Sequence, residues 1–350
     1  MDESVEILCE RRGAAGVITL NRPRALNALT LTMVRAMRNA LDSWSGDPAV
    51  TRVIVEGSGE KAFCAGGDIR RLTELGRAGD KEEALAFWRE EYQLNARIKR
   101  YPKPYISLID GIVMGGGVGI SLHGTYRVAG ERYLFAMPEV GIGFFPDVGA
   151  TYALPRLPGQ AGMYLALTGE RVKRADAMML GLATHAVDSG GLAALREALI
   201  AGEPVEAALS RASVDPGTAP LAAERPVMDA CFSAESVAAI LRRLDEAAKE
   251  GSEFAARAAA VMRAKSPTSL CIAFEQVRRG GGIEFEEAMR TEFRIVSRIF
   301  EGHDFYEGVR AVLIDKDGQP RWQPASLEEV RAETIEQHFA GLGAHELEIA

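Results

Sequence analysis

A run of glycines after an apolar stretch is the feature that most limits how this chain can fold. Residues 105–113 are mostly apolar, and residues 114–119 then read Met-Gly-Gly-Gly-Val-Gly. A short apolar run that ends in glycine is typical of a buried strand, and a helix-like pattern follows. Glycine lets backbone N–H groups approach a ligand without a Cβ in the way. The pattern is compatible with an oxyanion-binding turn and with a tight strand-to-helix turn packed in a core.

A second loop of the same kind occurs earlier in the chain. Residues 53–57 have a strand pattern, and residues 61–68 then form a small-residue loop that opens a helix at Asp68. Two such loops on neighbouring strands could each direct one N–H group to a single oxygen, as acyl-transfer sites require. This loop also contains Cys64, but no histidine that could activate a thiol lies nearby in sequence. We therefore interpret Cys64 as a small packed side chain rather than a nucleophile.

Two acidic residues lie in an apolar segment rich in glycine and proline, residues 138–149. Glu139 and Asp147 are eight residues apart, and no basic residue lies between them. Apolar neighbours desolvate a carboxyl group and raise its pKa toward the range that is useful in general acid–base catalysis. Alternatively, Glu139 caps a turn and Asp147 caps a helix that begins near Val148. The residues alone leave both interpretations open.

Composition limits the partners of the chain. It has 350 residues, 47% of them hydrophobic, which is enough to bury a sizeable core. The formal net charge of −8 argues against non-specific nucleic-acid binding and against a polybasic membrane contact. We expect small-molecule partners, no nucleic acid and no membrane; a homo-oligomer is left open.

Cysteine and histidine spacing predicts neither disulfides nor a metal site. The four cysteines are far apart without a Cys-x-x-Cys pair, and the five histidines are dispersed. The first four residues, Met-Asp-Glu-Ser, are acidic, which is wrong for a signal or transit peptide, and no apolar span is long enough to cross a membrane. We expect a protein without a metal or separate cofactor, in a reducing compartment, and we predict a cytoplasmic location.

The order of patterns predicts a mixed β/α core followed by helices. An N-terminal hairpin leads to a basic loop that contains Arg22 and Arg24, two residues that could face an anion or be solvated. Strand patterns do not recur after about residue 190. We predict a β/α core at residues 1–190 and a helical region at residues 191–350. Helices are expected at residues 30–45, 81–100, 234–250, 253–263, 268–279, 285–300 and 327–339.

Four motifs in this order resemble those of the crotonase (enoyl-CoA hydratase/isomerase) superfamily. They are Cys-Ala-Gly-Gly-Asp at 64–68, Asp-Gly-x3-Gly-Gly-Gly at 110–117, Met-Pro-Glu at 137–139 and Leu-Thr-Gly-Glu at 167–170. Further segments resemble the 3-hydroxyisobutyryl-CoA hydrolase branch, and with them the resemblance spans nearly the whole chain. These segments are residues 89–92, 141–149, 266–270 and 304–317. Several motifs in the right order are far more specific than one glycine loop.

The resemblance implies an α/β fold, a crotonase-like spiral of ββα units with a helical C-terminal region. It also implies an acyl-CoA thioester as the substrate, so that coenzyme A is part of the substrate and no further cofactor is needed. The family's oxyanion hole maps to the backbone N–H groups of Gly67 and Gly116. By the same resemblance, the adenine lies near the loop that contains Ala65, while Arg22 and Arg24 approach the nucleotide.

One departure from the hydratases decides which activity the resemblance implies. Hydratases of this superfamily carry two catalytic glutamates, and the position of the first is Gly119 here. Glycine is neither acid nor base, which argues against hydration by a pair of glutamates. The two acidic residues of the hydrolases, by contrast, are present as Glu139 and Asp147. By the same resemblance, Glu91 is a candidate for substrate binding. The resemblance implies hydrolysis of a short branched 3-hydroxyacyl-CoA. The best single guess for this substrate is 3-hydroxyisobutyryl-CoA, an intermediate of valine breakdown. The alternatives are a hydratase or isomerase of the same superfamily and a non-catalytic acyl-CoA-binding scaffold.

Overall fold

The computed structural model describes residues 5–349 of the chain. The first four residues, on which the expectation about targeting peptides depended, lie outside this part. The strands in the described part are β1 (Ile7–Arg12), β2 (Ala15–Leu20), β3 (Arg52–Gly57), β4 (Ala62–Cys64), β5 (Tyr105–Ile109), β6 (Ile112–Met114), β7 (Tyr126–Ala129), β8 (Leu134–Ala136), β9 (Val172–Lys173) and β10 (His185–Ala186).

These strands form two sheets. One has the order β1-β2-β3-β5-β7-β10 and the other the order β4-β6-β8-β9. The predicted N-terminal hairpin is confirmed, because β1 and β2 pair antiparallel with Ile7 opposite Leu20. From β2 onward the larger sheet is parallel, and β4, β6 and β8 are also parallel to one another. Only β9 joins the smaller sheet antiparallel.

Successive strands alternate between the two sheets. In the pairs β3 and β4, β5 and β6, and β7 and β8, the first strand belongs to the larger sheet and the second to the smaller one. Each pair adds one strand to each sheet beside the strands of the preceding pair. This alternation builds the spiral of ββα units, so the predicted α/β fold class is confirmed.

The apolar stretch at residues 105–113 is two strands, where the sequence predicts one. β5 lies in the larger sheet and β6 in the smaller one, and the chain changes sheets at Asp110 and Gly111. Gly111 has φ +127°, and a Cβ built there would lie 2.7 Å from the Lys61 carbonyl oxygen. Glycine is needed for this turn because a side chain would be both strained and in collision.

The helices provide the rest of the regular structure. Their bounds in the described part are α1 (Leu31–Ser45), α2 (Ile69–Ala78), α3 (Lys81–Lys99), α4 (Gly116–Leu122), α5 (Ala150–Ala153), α6 (Ala161–Thr168), α7 (Arg174–Leu180), α8 (Leu192–Ile200), α9 (Val205–Ala212), α10 (Leu221–Phe232), α11 (Val237–Lys249), α12 (Glu253–Arg263), α13 (Pro267–Gly280), α14 (Phe285–Ile299), α15 (Asp304–Val309) and α16 (Ala332–Phe339). Most agree with the predicted helices. The last begins later than predicted, because Leu327–Glu329 is a separate 3-10 turn.

Contacts between Cα atoms group the chain into two compact units, each made of three segments. Unit 1 comprises residues 1–68, 90–136 and 171–219, and unit 2 comprises residues 69–89, 137–170 and 220–350. The division between them falls within α3, after Arg89. The division at residue 190 that the sequence predicts, between a β/α core and a helical region, stays a prediction.

Unit 1 contains both sheets. Apolar side chains of the larger sheet, among them Val17, Ile54 and Ile106, are buried in one cluster with Leu195 of α8 and Leu209 of α9. Alternate residues of a strand lie on one face of the sheet, and residues at helical spacing lie on one face of α8 and α9, so these side chains meet on facing surfaces. Burial of this cluster fixes the larger sheet, from which the chain crosses to the strands that carry the glycine loops.

Unit 2 has a helical framework with an aromatic cluster at its centre. Trp88 of α3 stacks on Phe144 with ring centroids 5.7 Å apart, and Phe300 and Phe305 pack edge-on or tilted against the same rings. Aromatic pairs of this geometry add about 0.5–1.5 kcal/mol each beyond the area that they bury. The cluster anchors Phe144, which lies between the two acidic residues of segment 138–149.

Candidate functional site

The two predicted glycine loops leave neighbouring parallel strands at the same edge of the smaller sheet. β4 and β6 are paired in parallel, with Ala62 opposite Ile112, so the loops that follow them start side by side. A Cβ built on Gly66 would lie 3.9 Å from the nitrogen of Gly116. The structure therefore brings the two loops of unit 1 into backbone contact.

The N–H groups of Gly67 and Gly116 are available to a ligand. Neither donates a hydrogen bond to any acceptor within residues 5–349. Gly116 is the first residue of α4. The first N–H groups of this helix that bond to the Gly115 carbonyl are those of Val118 and Gly119, not that of Gly116. Two free donors on touching loops are the components of an oxyanion hole. That role for Gly67 and Gly116 stays a prediction.

Glu91 lies beside the second glycine loop. It is 2% exposed, and a Cβ built on Gly116 would lie 2.4 Å from its Oε1 atom. Burial above all raises the pKa of Cys64 to about 12, and the Glu91 carboxylate raises it further. The Cys64 thiol donates to the Gly66 carbonyl at 3.6 Å. A thiol held protonated in this way is a poor nucleophile, which agrees with its interpretation as a packed side chain.

Arg22 makes three bonds within unit 1. Its Nε lies 3.1 Å from Glu6 Oε1, one terminal nitrogen donates to the Ala28 carbonyl at 2.7 Å, and the other lies 3.0 Å from Asp68 Oδ2. These bonds tie the hairpin and the two ends of the basic loop to the first glycine loop. They give Arg22 a structural role, and its predicted contact with a nucleotide stays a prediction.

Arg24 lies at a cavity of unit 1. The cavity has a volume of about 330 Å³ and is lined by Pro23, Arg24, Leu26, Asn27, Ser58, Gly59, Glu60, Lys61 and Ala62. The sequence analysis did not select Lys61, the second cation of this lining. Ala65, three residues after the cavity's last residue, is held by a hydrogen bond of 3.0 Å from its N–H group to the Leu26 carbonyl. The short segment after Arg22 thus lines the cavity and also holds the Ala65 loop through the Leu26 carbonyl.

Glu139 begins a buried turn in unit 2. It is the first residue of the 3-10 turn Glu139–Ile142 and is 7% exposed. Its carbonyl accepts from Phe144 at 3.0 Å, which closes the turn against the aromatic cluster. Within the part of the chain that the structure describes, its Oε2 atom is buried without a hydrogen-bond partner. A buried polar atom of this kind is rare in proteins, and it requires an explanation such as a bound water, a ligand or a catalytic role.

Asp147 is held in a strained turn. It is 5% exposed, and the next residue, Val148, has φ +54°. A β-branched residue in the left-handed region is a conformational outlier that costs roughly 1–3 kcal/mol. The surrounding contacts must therefore impose this backbone conformation.

A third carboxyl group, which the sequence analysis missed, makes those contacts. Glu292 on α14 is completely buried and accepts from the Gly149 N–H at 2.8 Å through Oε2 and from the Thr151 N–H at 2.9 Å through Oε1. Gln276 donates to the Thr151 hydroxyl at 2.7 Å and also to the Pro146 carbonyl. The turn around Asp147 is thus clamped on both sides by side chains from α13 and α14.

The helix after Asp147 takes its first hydrogen-bond acceptors from two different places in the chain. This helix, α5, begins at Ala150, and its N-cap residue Gly149 has no side-chain bond. The first N–H groups of that helix go to the main-chain carbonyl of Asp147 and to the distant side chain of Glu292. Glu292 thus accepts one of the first N–H groups of α5 from a distant helix. A capping role of the Asp147 side chain stays a prediction.

Burial and mutual repulsion disfavour the charged forms of these carboxyl groups. The pKa of Glu139 is raised well above its usual value, first by burial, then by Asp147, with a smaller effect of Glu292. The pKa of Glu292 is raised to about 8, first by burial and then by Asp147, against the opposing effect of the Gly149 and Thr151 donors. A base is most effective when its pKa is near the operating pH. Its raised pKa makes Glu139 a stronger base than an exposed glutamate.

Comparison with known proteins identifies the family. The sequence pattern described as enoyl-CoA hydratase/isomerase matches residues 15–339. The chain belongs to the enoyl-CoA hydratase/isomerase family. The resemblance seen in the sequence motifs is confirmed over nearly the full length of the chain.

Within the enoyl-CoA hydratase/isomerase family, the chain is similar to mitochondrial 3-hydroxyisobutyryl-CoA hydrolases. The protein of that name from Rattus norvegicus is 48% identical over 355 residues, covering 99% of this chain and 91% of its own sequence. The one from Homo sapiens is 46% identical over 356 residues, with the same coverage. The predicted resemblance to this branch is confirmed.

Two solved structures of the family have the same fold over the full chain. A carnitinyl-CoA dehydratase from Mycobacterium thermoresistibile has a TM-score of 0.93 at 42% identity, covering 98% of each chain. An enoyl-CoA hydratase from Rhodobacter sphaeroides 2.4.1 has a TM-score of 0.90 at 39% identity, covering 99% of this chain and 100% of its own. Proteins of this family thus carry the names of both hydrolases and lyases. Because the fold is the same, only the side chains of the site can distinguish the two activities.

The signal that could have revealed Glu292 is its place in the apolar stripe of α14. Phe285, Met289, Val296 and Ile299 are buried on this helix, and Glu292 falls between them at helical spacing. A carboxyl group on the buried face of an amphipathic helix is unusual and requires a partner. The predicted helix at residues 285–300 shows this stripe, but the sequence does not show which partner Glu292 has.

The remaining expectations concern membranes, metals and location. No helix of residues 5–349 is long and apolar enough to cross a membrane. The described residues include no group of three or more His, Cys, Asp or Glu side chains arranged to hold a metal ion. The mitochondrial relatives bear on location without deciding it, so the cytoplasmic location stays a prediction, as do the expected absence of a cofactor and a homo-oligomeric state.

Proposed function

We propose that this protein is an acyl-CoA thioester hydrolase that acts on short branched 3-hydroxyacyl-CoA esters. The preferred substrate is 3-hydroxyisobutyryl-CoA, and the products are 3-hydroxyisobutyrate and free CoA, a reaction of valine breakdown. One observation carries the proposal. Glu139 and Asp147 are both buried and are coupled electrostatically in unit 2, while Gly119 occupies the position of the first hydratase glutamate. The names of the relatives from Rattus norvegicus and Homo sapiens agree with this assignment.

Glu139 acts on the carbonyl carbon in one of two ways. As a general base it takes a proton from water, whose oxygen then attacks the thioester carbonyl. As a nucleophile it attacks the carbonyl directly, expels the CoA thiolate and forms an anhydride that water then hydrolyses. The buried, unpaired Oε2 atom of Glu139 suits both routes. In either route the CoA sulfur leaves as a thiolate and takes up a proton.

Asp147 acts on the part of the substrate that distinguishes a 3-hydroxyacyl ester. Its carboxylate accepts a hydrogen bond from the 3-hydroxyl group or shares in the proton transfer. Burial strengthens such a bond, because no water competes for the carboxylate. This role separates the proposed hydrolase from a lyase that carries the same fold.

The N–H groups of Gly67 and Gly116 stabilise the oxyanion that forms when the carbonyl is attacked. Each donor is worth roughly 3–4 kcal/mol of transition-state stabilisation, by analogy with the removal of oxyanion donors from other enzymes. Both groups are free of internal partners within the described residues. Glu91, buried against Gly116, contributes to substrate binding at this loop.

The CoA nucleotide binds at the cavity that contains Arg24. Arg24 and Lys61 supply positive charge for its phosphates, and the loop of Ala65 faces the adenine. Arg22 supports this loop through its ion pairs. A phosphorylated ligand at this cavity agrees with a net-negative protein, because only a local basic site is needed.

A second candidate function is a hydratase or dehydratase, which the names of the two structural neighbours favour. Such an enzyme would have to work with Glu139 as its only acid–base glutamate, because Gly119 offers no side chain. A non-catalytic scaffold is a third candidate, which the retention of both carboxyl groups disfavours.

The discriminating experiment gives the protein crotonyl-CoA and 3-hydroxyisobutyryl-CoA in separate reactions. Thiol release is measured with a colorimetric reagent, and the ultraviolet absorbance of the enoyl thioester is followed in parallel. A blank without substrate corrects for the protein's own four cysteines. Thiol release from the hydroxyacyl ester supports the hydrolase, loss of enoyl absorbance without thiol release supports the lyase, and binding without either supports the scaffold.

A further inference from the structure

Glu292 connects two parts of unit 2 that are far apart in sequence. Its two carboxyl oxygens accept one backbone N–H each, from Gly149 and Thr151. These groups belong to the turn that carries Asp147, 145 positions before Glu292 in the numbering. A carboxyl group is the only side chain that presents two acceptor atoms in one plane without a donor between them.

An ordinary helix cap does not explain this arrangement. Caps are local, and Ser, Thr, Asn or Asp at the N-cap position usually supply them, whereas the N-cap position here is Gly149. Burying a third carboxyl group beside Asp147 is also unfavourable, because like charges disfavour each other's ionised forms. Because burying Glu292 beside Asp147 costs stability, its presence is better explained by a function of the turn than by stability alone.

The backbone of the turn shows what Glu292 holds in place. Val148 has φ +54°, a conformation that a β-branched residue avoids, and Gly149 follows with φ +95°. Without the two bonds from Glu292, the N–H groups of Gly149 and Thr151 would be buried without an acceptor, and Val148 could relax to a normal conformation. That relaxation would rotate the adjacent residue, Asp147.

We propose that Glu292 is a positioning residue for Asp147: by clamping the strained Val148–Gly149 turn, it fixes the place and direction of the Asp147 carboxylate. The inference rests on the proposed hydrolase function, in which Asp147 contacts the substrate. Glu292 itself touches neither the substrate nor the reacting atoms in this account. The titratable side chains whose charges act between the elements packed here are Glu139, Asp147 and Glu292.

The test uses Glu292→Gln, which keeps the shape of the side chain but turns an amide NH₂ toward one of the two N–H donors. The matched control is Thr291→Val, a buried position on the same helix rotated about 100° from Glu292. We expect Glu292→Gln to lower kcat for 3-hydroxyisobutyryl-CoA by about a hundredfold, the scale of a small misplacement of a catalytic group. KM should change little, and the control should keep normal kinetics.

A double-mutant cycle with Asp147→Asn distinguishes positioning from a general structural effect. If Glu292 acts through Asp147, adding Glu292→Gln to Asp147→Asn lowers kcat no further. The contribution of the Asp147 carboxylate to kcat is already lost in the Asp147→Asn variant. If Glu292 only supports the fold, the two losses multiply. Multiplying losses, or normal kcat in a folded Glu292→Gln protein, would overturn the inference.

Amide hydrogen exchange in the wild-type protein keeps the inference testable if Glu292→Gln does not fold. The N–H groups of Gly149 and Thr151 should be strongly protected, and rapid exchange at these two positions would contradict the clamp. A failure of the proposed function is separate from both results, since it would be seen as absent thiol release by the wild-type protein itself.

Discussion

Asp147 raises the pKa of Glu139, so that two carboxyl groups eight residues apart in sequence are coupled inside unit 2. Burial is the larger cause, and both residues are less than one-tenth exposed. Coupling of this kind is common at catalytic sites, where the environment separates the roles of neighbouring acids.

Replacing Glu139 by glutamine should remove thioesterase activity without removing CoA binding. The amide keeps the packing of the buried turn but acts neither as a base nor as a nucleophile, so kcat should fall by about a hundredfold or more. Kinetics on 3-hydroxyisobutyryl-CoA and a direct CoA-binding titration measure the two effects. Activity within a few-fold of the wild-type protein would remove Glu139 from the mechanism.

Replacing Asp147 by asparagine should discriminate between two roles of its carboxylate. In both roles we expect kcat/KM for the 3-hydroxyacyl ester to fall by on the order of a hundredfold. If Asp147 only binds the 3-hydroxyl, the loss should be much smaller for isobutyryl-CoA, which lacks that group. If it transfers protons, both esters should lose similar activity. Near-normal hydrolysis of both esters by the folded variant would exclude both roles, the binding of the 3-hydroxyl and the proton transfer.

The Gly116 N–H can be tested with a pair of variants that introduce the same Cβ. In Gly116→Ala and Gly116→Pro the new Cβ would approach Glu91 Oε1 and Leu29, at 2.4 and 3.1 Å before any relaxation. Proline additionally removes the N–H, and it is tolerated at the first position of a helix, which Gly116 occupies. The ratio of kcat between the two variants therefore isolates the donor.

We expect the proline variant to be slower than the alanine variant by about a hundredfold, the effect of one oxyanion donor. Circular dichroism and thermal unfolding of both proteins verify that they fold alike. Equal kcat values in two folded variants would show that the Gly116 N–H does not stabilise the oxyanion.

The stability of the protein should fall as the pH rises between about 4.5, the usual pKa of glutamate, and about 8, the raised pKa of Glu292. In this window the folded state keeps a proton on Glu292 that the unfolded state has lost. The free energy of unfolding then decreases by about 1.4 kcal/mol per pH unit for one such group. Glu139, whose pKa is shifted in the same direction, adds to the slope.

Chemical denaturation at several pH values across this window measures the effect. Glu292→Gln should flatten the pH dependence by the contribution of one group, because glutamine does not titrate. An unchanged slope in this variant would mean that Glu292 titrates at its ordinary pKa in the folded protein.

Local sequence patterns were sufficient for most elements and for both glycine loops. The helix predicted at residues 30–45 is α1, and its cap Thr30 accepts from the Met33 N–H at 3.2 Å. The loops that contain Gly67 and Gly116 also meet. The break at Gly111 was missed, because apolar periodicity cannot show that a buried strand changes sheets. Glu292 was missed for another reason: its partners, Gly149 and Thr151, are more than 140 residues away in sequence.

The ion pairs of Arg22 illustrate the same limit for charged side chains. The sequence indicates a basic loop, but not that Glu6 and Asp68 would converge on one of its arginines. Arg24, by contrast, lies at the cavity. The sequence does not distinguish the two arginines, because Glu6 and Asp68 come close to Arg22 only in the folded chain.

Thiol release across a panel of acyl-CoA esters tests the central claim most directly. The panel contains 3-hydroxyisobutyryl-CoA, isobutyryl-CoA and crotonyl-CoA, and each reaction is followed both for free thiol and for enoyl absorbance. We expect the wild-type protein to release CoA fastest from 3-hydroxyisobutyryl-CoA and to leave the double bond of crotonyl-CoA intact. Hydration of crotonyl-CoA with no thiol release from either saturated ester would contradict it.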